Sequence, residues 1–119
     1  MTEKTDFNSQ AVRCEIEALT DAINRCDDRS KLGQLFIYRA QYETQLGDDV
    51  RAVEDYLDAL EVTEENSDVS RIKSAIALIF AKKVDREQDA LYWALGAVDR
   101  APEDPEARYV LGLVCDCCG

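Results

Sequence analysis

The sequence predicts an all-α fold, a stack of antiparallel helix pairs with about six helices in one domain. Three observations predict it. Small and apolar residues recur at helical spacing through Ala40, Ala52, Tyr56 and Ala59. The pattern is then echoed: Leu78, Asp85, Ala90, Ala94, Ala97 and Val98 stand 38 residues after Ala40, Gly47, Ala52, Tyr56, Ala59 and Leu60. Only 2 prolines and 5 glycines occur in 119 residues, which leaves little room for long loops. Small side chains at fixed spacing let two helix axes approach closely, so the echo is a packing rule repeated in sequence.

The elements follow in order. Residues 1–8 lack an apolar stripe and are expected to be disordered; an N-terminal helix is expected within residues 10–27. Its stripe is Val12, Ile16, Leu19, Ile23 and Cys26, broken by Asp27-Asp28-Arg29, after which Ser30 is expected to cap the next helix. A first helix pair spans residues 31–63: Leu32, Leu35, Phe36, Ala40 and Tyr42 mark one helix, Gly47 suits a left-handed stop, and Asp48 caps the second. A second pair spans residues 68–102, with Val69, Ile72, Ile76, Ile79 and Phe80 on its first helix. Asp85 and Gln88 have capping-box spacing before its second, and Arg100-Ala101-Pro102 closes it. The last helix, residues 104–118, has the strongest start, Asp104 as cap and Pro105 at the first helical position, where a missing N–H is harmless.

These residues resemble the tetratricopeptide repeat, a helix–turn–helix unit of about 34 residues. Ala52, Tyr56 and Ala59 match its second helix, Phe36 and Ala40 its first. Ala90, Ala97 and Pro102 match in the next unit, and Leu111-Gly112 open a third that goes one helix further. Ala40 to Leu78 is 38 residues and Leu78 to Gly112 is 34, so the family period holds once, with four extra residues expected near Glu64–Asp68. The resemblance implies a right-handed superhelix whose first helices line a concave, peptide-binding face. Carried over, that face would hold Gln34, Ile37, Gln41 and Gln45, then Ala75, Ile79, Lys82 and Lys83, then Glu106, Tyr109 and Leu113. A subgroup of the family clamps a C-terminal carboxylate with an asparagine before an Arg-Ala pair. Arg39-Ala40 and the downstream Asp55 are present here, but Tyr38 replaces the asparagine, and the clamp is not expected.

Composition excludes several functions. The formal charge is −11, from 25 acidic and 14 basic residues, which disfavours nucleic acid and anionic membrane surfaces and amounts most simply to a solvated acidic exterior. No apolar run approaches the ~20 residues of a membrane span. The polar N-terminus predicts no signal peptide, hence a cytoplasmic location, and five cysteines suit a reducing compartment better than a disulfide scaffold. Histidine is absent, so no Ser–His or Cys–His pair can form; Asp27-Asp28 and Asp48-Asp49 sit at helix boundaries, and there is no Gly-rich phosphate loop. No catalysis and no cofactor are expected.

The leading expectation is a protein-interaction module that binds a peptide segment or partner protein. Lys82 and Lys83 offer a cationic spot for a carboxylate, or simply offset a helix dipole. Tyr92 and Trp93 lie beside the alanine stripe and either anchor a partner or pack half-buried. Two alternatives stand beside this reading. Cys115, Cys117 and Cys118 place three thiols together for a soft metal or redox response; the plainer account has Cys115 completing a core stripe. The last helix is apolar around much of its circumference, through Tyr109, Val110, Leu111, Leu113 and Val114, and suits a homo-oligomeric scaffold or homodimer.

Overall fold

Six α-helices and no strands occur among the described residues: α1 (Thr2–Arg25), α2 (Arg29–Gln45), α3 (Asp49–Val62), α4 (Asn66–Ala81), α5 (Glu87–Arg100) and α6 (Pro105–Cys118). The computed structural model describes the backbone of residues 2–118 and the side chains of residues 8–116. The all-α expectation holds, and no helix among these residues is long and apolar enough to cross a membrane.

Local chemistry explains the boundaries. Asp28, not Ser30, caps α2: its carboxylate Oδ1 accepts from the Ser30 backbone N–H at 3.0 Å and from the Ser30 hydroxyl at 2.9 Å. These bonds hold the Asp28 carboxyl below its ordinary pKa. The α2–α3 turn is a Schellman stop. The Gly47 N–H donates to the Thr44 carbonyl at 3.0 Å and the Asp48 N–H to the Glu43 carbonyl at 2.9 Å, with Gly47 at φ 82°. Asp48 then accepts from the Arg51 N–H at 3.3 Å, and Asp104 does the same for Glu106 at 3.0 Å at the start of α6. At α5 the expected capping box is absent. Arg86 is the residue flanking the helix, no side chain caps it, and Asp85 instead takes φ 66° in the turn. Gly47 and Asp85 thus do one job 38 residues apart, the second without glycine's freedom.

The chain packs as two compact units, Met1–Val62 and Thr63–Gly119. In the first, α2 packs on α3 and α1 on α2. The hairpin is antiparallel: Arg29 at the head of α2 donates to the Glu61 carbonyl at the tail of α3, 2.9 Å away. Ala40, Ala52 and Ala59 are completely buried, with Ile37 and Tyr56 nearly so. The stripe of α1 is only half-buried throughout. In the second unit, α4 and α5 pair antiparallel, tied by the buried Ser70 hydroxyl donating to the Ala97 carbonyl at 3.0 Å and Arg100 donating to Asn66 at 2.9 Å. α6 packs against both α4 and α5, and Ala77, Ala90, Ala94, Val110 and Val114 form the core among them.

One sequence alignment shifts. The buried small residue of α4 is Ala77, 0% exposed, while Leu78 is 36% exposed. Ala40 reaches Gly47 in seven residues, whereas Ala77 reaches Asp85 in eight. The extra residue lies before the left-handed turn, so turn spacing and face spacing differ by one. Cys115 is also exposed, and Val114 fills the core position instead.

Candidate functional site

Placement of the expected binding residues sorts them into two groups. In α2, Gln41 and Gln45 are exposed, Gln34 is half-buried and Ile37 is buried at 8% exposure. In α4, Lys82 and Lys83 lie exposed just past the helix end, Ala75 is half-buried and Ile79 is buried at 5%. In α6, Glu106, Tyr109 and Leu113 are exposed, with Tyr109 at 67%. The two isoleucines therefore serve the core rather than a binding face. Ile37 lies three residues before the buried Ala40 and Ile79 three after the buried Ile76, inside the angular width of the buried stripe. The Lys82 and Lys83 N–H groups donate to the Ile79 and Phe80 carbonyls, which places both cations where the α4 dipole is negative.

The most constrained chemistry is a polar cluster inside the first unit that joins α1, α2 and α3. Arg39 forms a bidentate pair with Asp55: Nε donates to Oδ2 at 2.8 Å and a terminal nitrogen to Oδ1 at 2.6 Å. Its other terminal nitrogen donates to the Thr20 hydroxyl of α1 at 3.1 Å, and the guanidinium carbon lies 5.8 Å from the Phe36 ring centre. The hydrogen-bonded carboxylate holds the Arg39 pKa above its ordinary value. Arg39 is thus engaged by Asp55 and Thr20 inside the chain.

Glu43, one turn beyond Arg39, is buried at 5% exposure, and its Oε1 has no hydrogen-bond partner. Burial first, then hydrogen bonding to the Asp55 carboxylate and that group's charge, push the Glu43 carboxyl up to about 8; Arg39 pulls the other way and Asp48 adds to the rise. With Glu43 protonated, the cluster holds one cation and one anion. Sequence reading missed this role. The available sign was phase: Gly33, Ile37, Ala40 and Glu43 are all buried in α2, as Asp55 is beside Ala52, Tyr56 and Ala59 in α3. A carboxylate standing in register with an apolar stripe has to be paired or neutral.

Tyr92 is exposed and Trp93 half-buried against the second core, their rings edge-to-face at 5.3 Å. No group of three or more metal-ligating side chains occurs among the described residues. Of the cysteine cluster, only Cys115 falls within them as a side chain; Cys117 and Cys118 lie outside. The chain matches no family model, and no curated protein is significantly similar to it.

Proposed function

We propose that the chain is a non-catalytic protein-binding module of tetratricopeptide-like helix pairs that holds a peptide segment or partner surface. The supporting observation is a division of labour between the paired helices. The alanines that set interhelical distance are buried; in the first unit α2 exposes the amide pair Gln41 and Gln45, and in the second Lys82 is exposed just past α4 while α6 exposes Tyr109 with Leu113. Amides in such positions hydrogen-bond a peptide backbone, and the cation takes a carboxylate.

Capture from a native extract tests the reading, with the intact chain as bait. Gln41→Ala/Gln45→Ala and Lys82→Ala remove exposed groups that make no core contact. Each is expected to lower recovery of a captured partner about tenfold, in line with ~1–2 kcal/mol per good contact, at unchanged helicity. Equal recovery by wild type and both variants would discard the proposal. Ile79→Asp is unsuitable, because it would bury a charge and unfold the second unit.

A further inference from the structure

The outward face of α6 is open at its centre and carries opposite charges toward its two ends. Ala107, Val110 and Val114 are buried on the inner side of the helix. At ~100° per residue, Gly112 falls diametrically opposite them. Nothing lies within 4 Å of where a Gly112 Cβ would be. Around this opening stand Arg108, Tyr109, Leu113, Cys115 and Asp116, all exposed.

Charge selects the occupant. Arg108 and Asp116 sit four residues to either side of Gly112. Neither forms an ion pair among the described residues. A two-fold axis through Gly112 maps position 108 of one helix onto the level of position 116 of the other. The rows through residues 108, 112 and 116 run side by side when the helices cross at about 50°. Each Arg108 then faces a partner Asp116, twice per contact, and the two Tyr109 rings come to the same flank of the axis. The missing side chain at Gly112 lets the two backbones close in. Few foreign surfaces would satisfy cation and anion in this reciprocal order, whereas a second copy does so by symmetry.

We propose that this chain self-associates as an antiparallel dimer through α6, centred on Gly112. The contact of two 14-residue helices is smaller than the ~1,200–2,000 Å² of stable complexes, so the dimer is weak and concentration-dependent. This goes beyond the binding function, with which it shares Tyr109 and Leu113, and its test falls on Arg108, Gly112 and Asp116, which the capture variants leave untouched.

Sedimentation equilibrium of the full chain from about 20 μM to about 1 mM tests it, a range that spans weak association. Wild type is expected to rise from 13.4 kDa toward twice that mass. Arg108→Glu and Asp116→Arg each put like charges in register and are expected to remain monomeric alone. Mixed in equal amounts, they restore both pairs and are expected to recover the dimer. Gly112→Leu, whose side chain enters open space in the monomer, is expected to abolish association with helicity intact. A wild type that stays at 13.4 kDa throughout overturns the proposal. So does association that persists in either charge variant alone, or a mixture that fails to associate.

Discussion

Glu43 carries the clearest pH dependence in the molecule. Its carboxyl titrates near 4.5 when unfolded and at about 8 in the fold. The folded state therefore binds more protons than the unfolded state between those values, and stability falls as pH rises through that window. The favourable contribution is complete below about 4.5 and gone above about 8. Glu43→Gln keeps the shape and removes the proton, so its denaturation midpoint is expected to be flat from pH 6 to pH 9, where wild type declines. Urea titrations of the two proteins across that range would show it; parallel declines would mean that other groups dominate. Asp55→Asn removes the neighbour that lifts Glu43, so the Glu43 pKa should drop in an NMR titration, with Arg39 turning to it as a replacement partner. The buried pair was only half legible in the sequence. Arg39 and Asp55 were noticed as a recognition motif, but a motif does not reveal whether its charges face a ligand or each other.

At the level of elements, three positions differ in what a Cβ would cost. Gly47 has φ 82° and closes the Schellman turn, so Gly47→Ala should destabilise by about 1–2 kcal/mol. Asp85 adopts φ 66° with a side chain already in place, so Asp85→Gly should stabilise by up to ~1 kcal/mol. Gly112 is helical and open, so Gly112→Ala should stabilise the monomer by about 0.8–1 kcal/mol through helix propensity alone. Thermal denaturation at low protein concentration measures all three: the midpoint should fall for the first and rise for the other two. Gly47 was legible because a glycine after a polar helix end is a common stop. Asp85 was read as a cap because aspartate serves both roles, and only backbone geometry separates them. The same ambiguity moved the α2 cap from Ser30 to Asp28, since the two residues hydrogen-bond each other.

At the scale of the whole molecule, the net charge of −11 sets the response to salt. Excess like charge destabilises a compact state, and the buried Arg39–Asp55 pair is poorly screened because Asp55 is nearly solvent-free. Raising sodium chloride from about 20 mM to about 300 mM shortens the screening length severalfold and should raise the melting temperature by several degrees. A lower melting temperature in salt would show that surface ion pairs such as Arg86–Asp89 outweigh the repulsion. The division into Met1–Val62 and Thr63–Gly119 was not legible in the echo of alanines, which reads as one continuous array.

The sequence by itself determined helix number, the approximate boundaries of α2 to α6 and the small residues that space paired helices, because these depend on spacing and backbone preference within a few turns. α1 begins at Thr2, ahead of the expected start. Tertiary structure decided which members of each stripe are buried: Ala77 over Leu78, Val114 over Cys115, and Ile37 and Ile79 in the core. It also decided that Arg39 faces inward and that Gly112 faces open space. A shift of one residue turns a helical side chain by ~100°, less than the width of an apolar stripe, so periodicity alone cannot tell neighbouring positions apart. Only the neighbouring helix settles which side of each residue meets protein and which meets solvent.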